Sequence, residues 1–171
     1  VFEIGNDPIQ LGLVDSLNRP GGNVTGANQM NIEVAPKRLE LLHEVLPSEH
    51  IIALLVDPAD PNSTNTTIRD VRAAARNLGL EVRVLNASCE ADFEAAFAKL
   101  RQLRAGGLVI GGGPFFVTQS QHMASLSVHH AIPTIYAHRE FVTAGGLMSY
   151  GSDITDALHV NCASLLVASL T

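Results

Sequence analysis

Five short runs rich in Val, Ile and Leu recur at residues 51–56, 82–85, 108–110, 132–136 and 147–150, and segments with helical spacing lie between them. A run of consecutive apolar residues suits a strand covered on both faces, and helix-separated strands of that kind pair in parallel. The alternation therefore predicts βαβ units and an α/β fold, a mostly parallel sheet in a three-layer sandwich. Pro133 removes a ladder donor, so the fourth strand proper is expected to start at Thr134. Ile68, Val71, Ala75 and Leu78 share one helix face that ends at Gly79. Phe93, Phe97, Leu100 and Leu103 share the next, with Ser88 as the expected N-cap and Glu90, Asp92 and Glu94 matching the positive end of the dipole. A third helix is expected from near Thr118 through Met123 and Leu126 towards His130. A short fourth, Arg139 to Thr143, stops at Gly145-Gly146.

The flanks fit this five-stranded unit poorly. Val1 to Ile4 reads as a strand, followed by a helix through Leu11, Val14 and Leu17, a turn at Arg19 to Gly22, and a connecting strand over Asn23 to Gly26. Lys37 to Leu46 reads as an amphipathic helix with Leu39, Leu42, Val45 and Leu46 on its apolar side and Pro47 closing it. At the far end Asp153 can cap a helix striped by Ile154, Leu158, Cys162 and Leu165. The first strand and this last helix are expected to belong to a neighbouring lobe. The chain opens inside a strand-like run without Met, which is the expected look of a mature or trimmed fragment.

Composition excludes several functions. At 46% apolar and 16% charged residues, the 171-residue chain is expected to bury a core. Its formal charge is −6 and its eleven basic residues are scattered, so no stripe is offered to a phosphate backbone and no nucleic-acid partner is expected. Cys89 and Cys162 lie in no metal-ligand spacing and are expected to be free thiols. No apolar run approaches the ~20 residues that span a bilayer, so the chain as given is expected to be soluble.

Ligands of open parallel sheets bind beyond the carboxyl ends of the strands, where loops and helix N-termini converge. The polar and aromatic residues concentrate there. The first strand runs into VDPADPNSTNTT (residues 56–67), the second into Asn86-Ala87-Ser88, and the third into Gly111-Gly112-Gly113-Pro114-Phe115-Phe116. The fourth ends in Tyr136-Ala137-His138-Arg139-Glu140 and the fifth in Ser149-Tyr150-Gly151-Ser152-Asp153. Glycines permit close backbone approach and aromatics supply flat walls, the composition of a small-molecule cleft. Asn62 or Ser63 is expected to cap a helix whose free N–H groups can meet an anion. Asp57 and Asp60 are expected to shape Asx-type turns.

Enzyme chemistry finds little support in these motifs. The glycines at 111–113 lack both GxGxxG spacing and the Lys-Ser/Thr pair of a P-loop. Ser63, Ser88, Ser120 and Ser149 have no GxSxG setting. His43, His50, His122, His129 and His130 fall on expected helices or their edges, and adjacent His129 and His130 point about a hundred degrees apart on a helix, unlike a chelating i,i+4 pair. Asp57 is followed by Pro58 and no earlier strand of the unit ends in an acidic pair, against a phospho-acceptor site. Arg139 is expected in a surface or hinge ion pair with Glu140 or another carboxylate.

The quoted strand ends, together with VFEIGNDP at the start, LNRPGGNVTG, KRLELL and above all YAHREFVTAGGLMSYG, resemble the ABC transporter substrate-binding proteins that include tryptophan- and tyrosine-type members. That resemblance implies a type I periplasmic-binding-protein fold, of which the chain would hold one lobe plus remnants of the other. Residues 1–36 would be first-lobe remnant and connector, 37–151 the second α/β lobe, and 152–171 a helix returning towards the first. Carried over by position, the ligand-facing candidates are Asp7, Pro8, Asn62, Ser63, Gly113, Phe115, Tyr136, Tyr150 and Asp153. The family commonly has a polar or acidic residue where this chain has Gly113, so one side-chain contact is expected to be missing. The resemblance implies a non-catalytic receptor, without metal or cofactor, that binds an amino-acid-like or carboxylate-bearing solute and delivers it to an ABC permease in the periplasm or cell envelope. An enzyme or sensor domain on the same scaffold is the alternative. Homodimerisation through exposed apolar surface is a third reading.

Overall fold

The computed structural model describes residues 2–4, 8–9, 11–16, 18–19, 21–24, 26–28 and 34–151. By its internal contacts the chain divides into two units, Val1–Asn31 with Ser152–Thr171, and Ile32–Gly151.

In the first unit, β1 (Phe2–Ile4) pairs in parallel with β2 (Gly26–Asn28), Phe2 opposite Gly26. The helix expected through Leu11 and Val14 does not form. Gly12 adopts φ +68°, and Gly12 and Leu13 donate to the carbonyls of Ile9 and Pro8 in turns instead. A left-handed residue at that point ends any helical run before it can propagate. The connecting strand lies a few residues later than expected, beginning at Gly26. Leu17 and the helix expected after Asp153 lie outside the described residues.

The larger unit runs α1 (Ala35–Val45), β3 (Ile51–Val56), α2 (Pro61–Leu78), β4 (Glu81–Asn86), α3 (Ala91–Gln102), β5 (Gly107–Ile110), α4 (Pro114–Thr118), α5 (Ser120–His129), β6 (Thr134–Tyr136), α6 (Arg139–Thr143) and β7 (Met148–Ser149). Its five strands are all parallel in the order β4-β3-β5-β6-β7. The third helix of the sequence reading is two helices, broken at Gln119. Pro114, with its preset φ, nucleates a first short helix immediately after Gly113.

The period of two along each strand sorts side chains between two cores. Ile52, Leu54, Val56, Val109 and Ile135 pack against α1 and α2 through Ala35, Leu39, Leu42, Val71 and Ala75. Ala53, Leu55, Leu108, Ile110 and Tyr136 face Phe93, Phe97, Leu100, Phe116, Met123 and Phe141 on the other side. Each fully buried Leu, Ile or Phe contributes about 1.5–3 kcal/mol, so β3, buried from Ile52 to Val56, anchors both layers. Edge strand β4 alternates exposed and half-covered residues as far as Val84. Val45, expected on the apolar side of α1, is 56% exposed, and the buried stripe is Ala35, Arg38, Leu39 and Leu42.

Two glycines are steric requirements. Gly79 ends α2 in the left-handed region at φ +69°, and Leu80 N–H reaches back to the Ala75 carbonyl at 2.9 Å. Gly146 lies under the Tyr136 ring: a Cβ there would stand 2.7 Å from Tyr136 Cε2 and 2.8 Å from the Phe141 carbonyl oxygen. Gly146→Ala is therefore expected to destabilise the larger unit by about 1–3 kcal/mol through overpacking, read as a lower urea midpoint. An unchanged midpoint would mean that the ring and α6 yield freely.

Candidate functional site

Strand order locates the site. From β3 the chain passes outward to β4, then returns across β3 to β5, so β3 and β5 are neighbours whose following helices cover opposite faces, α2 on one and α4 with α5 on the other. A crevice opens beyond the carboxyl ends of two such strands. Gly111 N–H donates to the Leu55 carbonyl at 2.8 Å, and a Cβ on Gly111 would lie 3.1 Å from that oxygen. A glycine lets the two strand ends close to this distance.

The β3 wall is a turn held by its own acids. Asp57 Oδ1 accepts from Ala59 N–H at 2.9 Å, and the Thr64 hydroxyl donates to the Asp57 carbonyl. Asp60 caps α2, its Oδ1 accepting from Ser63 N–H at 3.2 Å. The cap is thus neither Asn62 nor Ser63, as the sequence suggested. Pro61 fits the first helical position, where no donor is needed, and moves the helix start forward. Asn62 is exposed and Ser63 half-buried. Because the Asp60 carboxylate already occupies a first-turn N–H, an anion arriving here meets a partly neutralised helix end.

The β5 wall is glycine followed by aromatics. Gly113 adopts φ +147°, where a side chain is strained, which accounts for glycine at the position where the resemblance led us to expect a polar residue. Phe115 is half-buried, its ring stacked on Phe93 with centroids 5.5 Å apart and planes at 24°. Phe116 points into the core. At the β4 end, Ser88 is not the cap of α3. The Asp92 carboxylate folds back to accept from Ser88 N–H at 2.8 Å and Cys89 N–H at 3.1 Å, and these bonds hold its pKa below the usual carboxylate range. Cys89 is free and exposed. A groove of about 280 Å³ beside β4 and α3, lined by Asn86, Asp92 and Lys99 among others, lies at the sheet edge, away from the β3–β5 crevice.

The ends of β6 and β7 bring together residues that the sequence reading separated or overlooked. Tyr136, expected to line the cleft, is fully buried. Its ring stacks on Phe141 at 4.5 Å, and its hydroxyl is 2.7 Å from that of Ser127, a committed pair, while burial raises its pKa. The alternation of β6 explains the placement, since Ile135 faces one core and Tyr136 the other. Tyr150 is 42% exposed. Its backbone is bound on both sides: its N–H donates to the Tyr136 carbonyl at 2.9 Å, and its carbonyl accepts from Arg38 Nη1 at 3.1 Å. Arg38 is 0% exposed, and burial pushes its pKa down to about 10. His138 is buried nearby, and burial lowers its pKa, Glu140 opposing and Arg38 adding to the effect. The sequence reading gave Arg38 no role. The available signal was its spacing, four residues before Leu42 and three after Ala35 on a helix with a buried stripe.

Of the other candidates, Pro8 is a buried residue of the first unit, and Asp7 and Asp153 lie outside the described residues. Arg139 is exposed at the start of α6. His122 Nδ1 is 3.1 Å from Glu90 Oε1, joining α5 to the loop before α3. Among the described residues no three His, Cys, Asp or Glu side chains are grouped to hold a metal ion.

The family described as ABC transporter substrate binding protein matches residues 1–170. A tyrosine-binding protein of Clostridioides difficile is 26% identical over 148 residues, 86% of this chain and 41% of its own length. Among solved structures, an ABC domain in complex with L-Trp from Streptococcus pneumoniae has a TM-score of 0.75 at 23% identity, covering 94% of this chain and 54% of that one. A conserved domain protein of Vibrio cholerae has a TM-score of 0.76 at 22% identity, covering 96% of this chain and 54% of its own. The two structures establish a shared fold. This chain spans about half the length of these relatives.

The local chemistry sets two outcomes. Asp60→Ala is expected to lower stability by about 1 kcal/mol in urea titration, and Asp60→Asn, which can still accept from Ser63, by a few tenths. Because the folded chain holds His138 less basic than its ordinary 6.5, the unfolded chain binds the proton first as the medium acidifies. The His138 contribution is therefore intact above pH ~6.5 and is lost as pH falls from there through the folded-state pKa. His138→Gln should flatten that part of the stability profile. An unchanged slope would assign it to other groups.

Proposed function

The chain belongs to the ABC transporter substrate-binding protein family, and from that membership we propose that it is part of a non-catalytic solute receptor serving an ABC importer at the cell envelope. The match along residues 1–170 carries this reading. The larger unit supplies one wall of the solute site, the crevice beyond β3 and β5 with the exposed ring of Tyr150 beside the end of β7. Asn62 and Ser63 offer a side-chain amide and a hydroxyl, Gly113 gives close backbone approach, and Phe115 supplies an aromatic face whose orientation Phe93 fixes. Asp7, Pro8 and Asp153 complete the proposed set. Tyr136 acts from behind, holding α6 and the end of β7 in place.

The solute in this reading is amino-acid-like or carboxylate-bearing. The relatives support that class, one being named for tyrosine and another solved with L-Trp. Asn62 and Ser63 offer a side-chain amide and a hydroxyl to such a solute, the Asp60 cap having already taken the Ser63 N–H, and an apolar or aromatic part can lie against Phe115 or Tyr150. The partners are such a solute and the permease.

Calorimetry with L-tryptophan and L-tyrosine tests the proposal on this chain and on a version extended to the full two-lobed length of the relatives. The extended protein is expected to bind one of them, and this chain at least roughly 100-fold more weakly, the loss of about 3 kcal/mol that removing one wall implies. Equal tight binding by both, or chemical turnover of the solute, would overturn it. In the extended protein, Asn62→Ala is expected to weaken binding about tenfold, the worth of one buried hydrogen bond. An unchanged Kd would remove Asn62 from the site.

A further inference from the structure

Arg38 is the one arginine among the described residues that the fold buries completely. Its neighbours in the buried stripe of α1 are Ala35, Leu39 and Leu42, so packing alone would accept an aliphatic side chain there. Burying a guanidinium is costly, and replacing buried ionic groups with hydrophobic ones is often neutral or stabilising. Its burial here has a counterpart in backbone geometry. Strand β7 is two residues long at the edge of the sheet, and among the described residues β6 alone supplies its ladder. Just beyond it the Tyr150 N–H extends that ladder to Tyr136, and Arg38 Nη1 takes the Tyr150 carbonyl at 3.1 Å. Only a long donor-bearing side chain reaches such a carbonyl from a neighbouring helix.

The positions of the two partners carry the rest. The larger unit spans Ile32 to Gly151, so the chain enters it shortly before α1 and leaves it one residue after Tyr150. We propose that Arg38 is a positioning residue that pins the exit of the chain from the larger unit, at Ser149 to Gly151, to the helix by which the chain enters, so that one side chain sets both connections. This goes beyond the receptor reading, and only its consequence for the Tyr150 ring in the proposed site rests on that reading. The exposed Tyr150 ring is carried by the backbone that Arg38 holds, so the same contact sets the direction of a residue in the proposed site.

Amide hydrogen exchange resolved by residue, on this chain and its R38M and R38K variants, tests the proposal without any solute. Failure would therefore leave the receptor reading standing, and absence of solute binding would leave this inference standing. In R38M the Tyr150 amide is expected to exchange roughly tenfold or more faster, while amides of β3 and β5 keep their protection. R38K, with a single ammonium donor, should recover part of the lost protection. Unchanged exchange at Tyr150, or a loss spread equally over β3 and β5 with a lowered Tm, would overturn the proposal and leave Arg38 a residue of general stability. Should R38M fail to fold, R38K decides: faster exchange confined to Tyr150 supports the pin, and a uniform or absent change overturns it.

Discussion

Everything in the larger unit hangs on β3. It is hydrogen-bonded to β4 on one side, with Ile51 to Val56 opposite Glu81 to Asn86, and to β5 on the other, and Ile52 to Val56 are all buried. Inserting a strand between two neighbours removes its backbone groups from water, an arrangement tolerated only because both ladders are complete. Its side chains then assign the layers. Ile52, Leu54 and Val56 bind α1 and α2, while Ala53 and Leu55 bind the α3 to α5 side. A polar substitution in this strand would expose one core or the other to an unsatisfied group.

The same strand creates the crevice. Because β4 and β5 lie on opposite sides of β3, the turn after β3 and the loop after β5 diverge to opposite faces of the sheet. The residues that keep this region in shape are mostly occupied with their own backbone: Asp57 and Asp60 in the first turn, Asp92 at the loop before α3, and Gly111 and Gly113 in the third. The acids that look like reactive groups in the sequence are turn and cap acceptors. Belonging to a family of binding proteins fits a site that is built to hold and to orient.

Buried polar groups at the other end of the sheet show how much of the unit is given to positioning. Tyr136 is enclosed with its hydroxyl paired to Ser127, its ring on Phe141 and Gly146 beneath it. Arg38 and His138 are buried beside the chain's exit. Enclosing these groups carries a desolvation cost that an apolar core would avoid. In exchange the edge strand β7, too short to define its own register, receives a fixed place.

The sequence by itself determined most elements of the larger unit, though not the break at Gln119 that divides α4 from α5. Apolar runs marked β3 to its exact ends, Pro133 correctly moved the start of β6 to Thr134, and Gly79 and Gly145-Gly146 stopped α2 and α6, because hydrophobic periodicity and backbone restriction act over a few neighbouring residues. The fold class followed from their alternation, and the family from motifs strung along nearly the whole chain. Tertiary structure alone decided matters that depend on residues distant in sequence. The order β4-β3-β5-β6-β7 set the crevice, since nothing local says which side of β3 a returning chain takes. The side of the sheet on which β6 turns its tyrosine moved Tyr136 from the expected cleft into the core. The cap of α2 at Asp60 is by contrast a local matter, set by Pro61 at the first helical position. Arg38 acquired a role only when folding brought α1 within 3.1 Å of the carbonyl of Tyr150, for a buried charge is legible as such only once the groups that surround it are known.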